Sequence, residues 1–146
     1  LLELADSAVS ALRERAEERH IDLSVSGENL MVDGVRSFLY EMFYNLIDNA
    51  IKYNIDGGKV EVAVSAGDTA ATVSVKDTGI GIPPEYQARV FERFFRVDKS
   101  RSKASGGTGL GLSIVKHIAQ YHHADLDLHS TMGRGTSISV SFSLEK

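Results

Sequence analysis

The strongest constraint on how this chain can fold is a change of hydrophobic period in its middle. Val35, Phe38, Leu39, Met42, Phe43, Leu46, Ile47, Ala50 and Ile51 recur at steps of three and one, the spacing of one helix face. The pattern stops near Asn54, just before the turn sequence Asp56-Gly57-Gly58. From Val60 the period is two. Val60, Val62 and Val64 alternate with polar residues, Gly67-Asp68 turns the chain, and Ala71, Val73 and Val75 lead back to Asp77. That predicts a hairpin of two strands, each with one apolar face.

The flanks extend the pattern. Leu1, Ala5, Ala8, Val9, Leu12 and Ala16 predict a first helix, with Arg13, Glu14, Arg15, Glu17, Glu18 and Arg19 on its solvated side. Ile21, Leu23 and Val25 predict a strand ended by Gly27. Pro83-Pro84-Glu85 predicts the start of a short helix carrying Val90, Phe91, Phe94 and Phe95. Residues 97–107 are small, polar and basic and predict a mobile loop. A third long helix is expected from about Leu110 to His122. Leu126 and Leu128 predict a strand, and Ile138, Val140, Phe142 and Leu144, alternating with serines, predict a half-exposed one. The expected class is α+β: a two-layer α/β sandwich whose mixed, mostly antiparallel sheet is covered on one face by three main helices. No repeat or linker interrupts residues 1–146, so a single domain is expected.

Composition removes several classes of function. The formal net charge of -4 argues against nucleic acid as the main partner. There is no cysteine, hence no disulfide or thiolate metal site. No apolar run reaches the roughly 18 residues of a membrane span, so direct membrane insertion is not expected. The chain opens at Leu1 in mid-pattern, without Met or a signal peptide, and reads as a piece of a longer protein.

Two glycine runs carry the first chemical signal. They are Asp77-Thr78-Gly79-Ile80-Gly81-Ile82-Pro83 and Gly106-Gly107-Thr108-Gly109-Leu110-Gly111-Leu112. Glycine serves where backbone turns with positive φ or approaches a ligand closely. The second run opens a helix, whose first N–H groups attract anions, phosphate above all. On the middle helix, Asn45, Asn49, Lys52 and Tyr53 span roughly 100° of arc at the edge of the apolar face. They are either a polar helix rim or a polyphosphate–magnesium site. In the second reading the amide oxygens complete a hard cation's shell, Lys52 neutralises phosphate, and Tyr53 lies against a base or sugar. Asp77 is either a turn former at a strand end or a carboxylate that accepts from an exocyclic amino group, which selects adenine over guanine.

In order along the chain these segments resemble the boxes of bacterial sensor histidine kinases. Asn45-Leu46-Ile47-Asp48-Asn49-Ala50-Ile51-Lys52-Tyr53 resembles the N box and Asp77-Thr78-Gly79-Ile80-Gly81-Ile82 the G1 box. Phe91-Glu92-Arg93-Phe94-Phe95-Arg96-Val97-Asp98 resembles the F box, and Gly107-Thr108-Gly109-Leu110-Gly111-Leu112 the G2 box. Gly133-Arg134-Gly135-Thr136 is similar to the Gly-x-Gly-Thr that closes the domain. The resemblance implies the Bergerat ATP-binding fold, shared with type II topoisomerases, a heat-shock chaperone and mismatch-repair ATPases, with residues 97–107 as an ATP lid. It implies ATP and Mg2+ as ligands. Asn45 and Asn49 match the magnesium-side asparagines, Lys52 the phosphate-contacting lysine, Tyr53 the residue beside the nucleotide, and Asp77 the adenine-recognising aspartate. Gly79 and Gly81 would let the chain pass close to the base, with Ile80 and Ile82 as apolar walls. Arg93 and Arg96 offer guanidinium groups, Arg96 being the one expected at phosphate. Thr108, Gly109, Leu110 and Gly111, with Gly107, match the backbone around the phosphates, and Thr136 matches the threonine backing Asp77.

One position separates branches of that superfamily. Hydrolysing members carry a glutamate general base where this chain has Asn45, an amide that takes no proton, and Glu41 lies a further turn away. The expected outcome is ATP held for transfer, with Asn45, Lys52 and Arg96 around the reacting phosphates, rather than ATP hydrolysed. None of His20, His117, His122, His123 and His129 has the His-Glu/Asp-x-x-Thr/Asn context of a family phosphoacceptor. The resemblance therefore implies an acceptor histidine on a separate dimerisation helical domain and a response regulator downstream. It further implies a homodimeric parent anchored in the bacterial membrane, with this chain as a monomeric cytoplasmic part. Two other readings remain at this point: a hydrolytic ATPase clamp, and a nucleotide-sensing docking module that transfers nothing. His122-His123 stands either as a helix-terminal cation pair or as metal ligands. In the same region family members often have glycine at the helix exit, and Val32-Asp33-Gly34 inverts a common Gly-Asp before the middle helix.

Overall fold

The computed structural model describes residues 1–32, 34–87, 89–91 and 111–143. Along them run α1 (Leu2–Glu18), β1 (Asp22–Gly27), α2 (Arg36–Lys52), β2 (Lys59–Ala66), β3 (Ala70–Asp77), a 3-10 turn (Pro84–Tyr86), α3 (Gly111–Tyr121), β4 (Asp125–Thr131) and β5 (Gly135–Ser143). The five strands form one sheet in the order β1-β2-β3-β5-β4. β1 and β2 are parallel, joined across α2, and every other pair is antiparallel. The expected α+β sandwich is present, with three helices and a mixed sheet.

The period-two residues explain the layers. Val25, Val62, Val75, Ile138 and Leu128 align across all five strands. Val64, Val73, Val140 and Leu126 form a second row. Successive side chains point to opposite faces, so the other face carries Thr72, Ser74 and Lys76 of β3 beside Ser141, Ser139 and Ser137 of β5. There Thr72 Oγ1 and Ser141 Oγ share a hydrogen bond of 3.0 Å. The apolar face meets Leu12, Ala8 and Val9 of α1, Phe43, Leu46 and Ile47 of α2, and Val115 and Ile118 of α3, all buried. α2 is central, with α1 and α3 packed on its two sides.

Some expectations change. Phe38, counted on the apolar face of α2, is 42% exposed and stands edge-on to Tyr121 with ring centroids 5.8 Å apart. It lies in the first turn of α2. Pro84–Tyr86 forms a 3-10 turn, with Tyr86 N–H donating to Pro83 O at 2.9 Å and Gln87 N–H to Pro84 O at 3.3 Å; residues 88 and 92–95 of the expected short helix lie outside the described residues. The lid at 97–107, with Phe94, Phe95 and Leu144, lies outside the described residues.

Candidate functional site

The site grows from the C-terminal half of α2. Asn45, Asn49, Lys52 and Tyr53 are all half-buried, as expected at the edge of an apolar face. Asn45 Nδ2 donates to Glu41 O at 2.8 Å, so the amide plane is fixed and its Oδ1 is the outward atom. Gly111, the first residue of α3, faces that oxygen: a Cβ at Gly111 would lie 3.5 Å from it. The second glycine run therefore delivers α3 opposite the first asparagine. Lys52 Nζ sits 3.1 Å from Asp48 Oδ2, one turn back on the same helix.

The end of α2 is tied to the first glycine loop. Tyr53 O accepts from Ile80 N–H at 3.2 Å. Asn54 is fully buried, and its amide explains why. Nδ2 donates to Lys59 O at 2.9 Å, while Oδ1 accepts from Ile55 N–H at 2.8 Å and Thr78 Oγ1 at 3.2 Å. Thr78 Oγ1 in turn accepts from Lys59 N–H at 2.9 Å. A buried polar group is tolerated only when satisfied in this way. Gly79 and Gly81 have no room for a side chain. A Cβ at Gly79 would lie 2.5 Å from Tyr53 O, and one at Gly81, where φ is +79°, 2.4 Å from Thr131 O. The protein's own backbone demands both glycines, independently of any ligand.

Asp77 ends β3, paired in register with Thr136 of β5. Its Oδ1 accepts from Gly79 N–H at 2.8 Å and Thr136 N–H at 3.2 Å. Thr136 thus backs Asp77, but through its amide; its hydroxyl lies 2.8 Å from Ser130 Oγ. Among the described residues no donor reaches Asp77 Oδ2, and no side-chain polar atom there is both buried and unpartnered. Oδ2 is therefore open to solvent. Burial pushes the Asp77 carboxyl up to about 6, against the two N–H groups that favour its charge. A half-buried carboxylate with one fixed and one free oxygen, at a strand end beside Ile80 and Ile82, is built to accept one directed hydrogen bond.

Several supporting residues carried no motif. Ser130 Oγ accepts from Ile82 N–H at 2.7 Å. Gln87 Nε2 donates to Ile82 O at 3.0 Å and Ser130 O at 3.2 Å. Together they fasten the far side of the first glycine loop to β4. Arg19, just past the end of α1, donates to the carbonyls of Ile51, Lys52 and Asn54, capping the orphan carbonyls at the end of α2. Arg15 of α1 pairs with Asp48. In sequence both arginines read as part of a solvated face, and only the packing of α1 on α2 turns them inward. Asn54 alone left a trace, as an asparagine between a helix end and a Gly-Gly turn.

His122 is corrected. Its Nδ1 lies 2.8 Å from Ile118 O and its Nε2 accepts from Val35 N–H at 3.0 Å. One ring nitrogen must donate and the other accept, so the ring is the neutral Nδ1–H form and has no lone pair left for a metal. No group of three metal-ligating side chains occurs among the described residues. α2 has no side-chain N-cap, in keeping with the altered sequence before it, and His122 satisfies the entering backbone instead. His123 has φ +54°, the left-handed conformation that suits the glycine often found at this exit. Arg93, Arg96, Gly107, Thr108, Gly109 and Leu110 lie outside the described residues.

Known proteins share this fold. Residues 34–146 match the family described as histidine kinase-, DNA gyrase B- and HSP90-like ATPases. The chain is 39% identical over 142 residues to the sensor histidine kinase RppB of Synechocystis sp., covering 96% of this chain and 31% of that protein. It is 42% identical over 113 residues to the phosphate regulon sensor protein PhoR of Pseudomonas aeruginosa, covering 77% of this chain and 26% of PhoR. The solved mycobacterial sensor histidine kinase MprB superposes with a TM-score of 0.84 at 32% identity, over 97% of this chain and 92% of that one. Full-length ShkA in complex with AMPPNP superposes at 0.81 and 26% identity, over 96% of this chain and 29% of ShkA. The chain belongs to the histidine kinase-, DNA gyrase B- and HSP90-like ATPase family, and its relatives are sensor histidine kinases. It spans about a third or less of the length of RppB and PhoR. No helix among the described residues is long and apolar enough to cross a membrane.

Proposed function

We propose that residues 1–146 form one ATP-binding catalytic unit of a two-component sensor histidine kinase, which presents the γ-phosphate to a histidine on a separate helical dimerisation domain. The observation that carries this reading is Asp77, held by two backbone amides through Oδ1 with Oδ2 left open. That free oxygen accepts from the adenine amino group, while Ile80 and Ile82 flank the base and Tyr53 lies beside the nucleoside. Lys52 meets the phosphates, joined there by Arg96 and by the backbone from Gly107 to Gly111. The donor set also suits magnesium. Asn45 and Asn49 offer neutral, hard amide oxygens, and Asn45 Oδ1 is directed outward by the bond from Nδ2 to Glu41 O. A bound Mg2+ would offset phosphate charge.

Asn45 supports transfer over hydrolysis. With no carboxylate at that position, no side chain there takes a proton from water. The transfer itself breaks the bond from the γ-phosphorus to the bridging oxygen and forms one to an imidazole nitrogen, with ADP leaving. Little covalent work falls to this unit beyond positioning and charge stabilisation. The parent is proposed to be a membrane-anchored homodimer that signals to a response regulator, with this unit in the cytoplasm.

Titration calorimetry with ATP and magnesium is the direct test. Wild type is expected to bind, and Asp77→Asn and Asn49→Ala to lose at least tenfold in affinity, the scale of losing one directed polar contact in a desolvated site. Unchanged affinity in both variants would overturn the assignment. Adding a histidine-bearing dimerisation domain from a relative is expected to yield phosphohistidine, and the chain alone little free phosphate.

A further inference from the structure

Asp48 lies between two cations. Its side chain is 12% exposed, with Arg15 of α1 on Oδ1 and Lys52 of α2 on Oδ2. Each oxygen has its own positive partner. Such a carboxylate is tolerated at low exposure only while it is paired. Lys52 therefore has two competing claims. Its ammonium rests on Asp48, and each donor that turns to a phosphate is one withdrawn from that carboxylate. Were Asp48 then unpaired, a poorly solvated negative charge would stand next to the incoming polyphosphate. Arg15 removes the difficulty, because it stays on the other oxygen. It comes from a different helix, 33 positions earlier in the chain, and the pairing with Asp48 raises its own pKa further.

We propose that Arg15 is a positioning residue for nucleotide binding: it holds the charge of Asp48 so that Lys52 is free to move from that carboxylate to the phosphates. The proposal rests on the ATP-binding reading above. It places a requirement for phosphate binding on α1, an element that carries none of the nucleotide motifs. Arg19, the residue that closes α1 one turn after Arg15, fixes the backbone end of the same segment, so α1 and its C-cap support both the charge and the position of Lys52.

The test compares ATP, with magnesium, against adenosine measured by competition, in wild type and five variants. Arg15→Ala is expected to weaken ATP about tenfold, as an uncompensated carboxylate holds Lys52 and repels phosphate, and to leave adenosine within twofold. Arg15→Lys is expected to recover most of the loss. Asp48→Asn is expected to stay within threefold of wild type, and adding Arg15→Ala to it to cost less than twofold, because the charge Arg15 offsets is gone. Equal loss of ATP and adenosine in Arg15→Ala would mean a deformed site and would overturn the proposal. So would unchanged ATP affinity, or a double variant as weak as Arg15→Ala. If Arg15→Ala fails to fold, folded Asp48→Asn decides: a tenfold loss of ATP affinity there rejects the idea. Wild type that binds neither ligand, with Asp77→Asn no different, is instead the signature of a failed ATP-binding reading.

Discussion

Asp77 keeps a carboxyl partly out of water for the sake of one free oxygen, and its titration carries a stability cost. Burial pushes it to about 6 from the ordinary value of 3.8, so between those values the folded chain binds a proton that the unfolded chain has lost. Stability is then fully present below about pH 4 and declines as pH rises through 6. That shift sets a ceiling of about 3 kcal/mol; partial solvation lowers the expected cost to about 1–2 kcal/mol. Asp77→Asn is expected to raise the apo melting temperature at pH 7.5 while weakening ATP binding at least tenfold, and to flatten the pH dependence of urea unfolding between pH 4 and 6. A lower melting temperature at pH 7.5 would contradict this. For ATP itself the sign is opposite: acceptance from adenine needs the ionised carboxyl, so affinity is expected to fall as pH drops below about 6. Asp77 was legible from its strand-end position and the glycines after it. The resemblance also named Thr136, from a strand 59 positions away, as its support; that the contact runs through the Thr136 amide rather than its hydroxyl came from the structure.

At the scale of elements, what matters is how α2 is secured at its ends. Its start has no side-chain cap and meets the His122 ring; its end is gripped by Arg19. Arg19→Ala leaves three carbonyls to find water, and is expected to cost about 1–3 kcal/mol in chemical unfolding. Amide exchange is expected to speed up at Tyr53 and Asn54. His123→Gly should stabilise the chain by about 0.5–1 kcal/mol, since it relieves a left-handed residue at the α3 exit and repays part of that in unfolded-state entropy. A measured loss of stability would show that the His123 side chain contributes more than its backbone strain costs. The helices themselves were readable from their apolar spacing to within two residues at α2. Their end contacts were not, because Arg19 and His122 act across helix pairs and have no local signature.

The whole molecule depends on α2 lying between α1, α3 and the sheet. Phe43 is completely buried at that centre, and Phe43→Ala is expected to cost about 3–5 kcal/mol, read as a lower urea midpoint with an unchanged slope. The sequence by itself determined the periods, and through them the elements: seven valines and isoleucines at alternate positions commit β2, β3 and β5 to one apolar face, and the α2 heptad-like spacing commits that helix to cover it. It also determined the types of group available to a ligand, since Asn45, Asn49, Lys52 and Asp77 are local in their motifs. Only the tertiary structure decided which of them support one another. Arg15 reaches Asp48, Thr136 reaches Asp77, and Gly111 faces Asn45 because one shared core buries α1, α2, α3 and the sheet together. Hydrophobic burial is non-directional and sets that arrangement; directional polar contacts then form between groups the chain order keeps far apart.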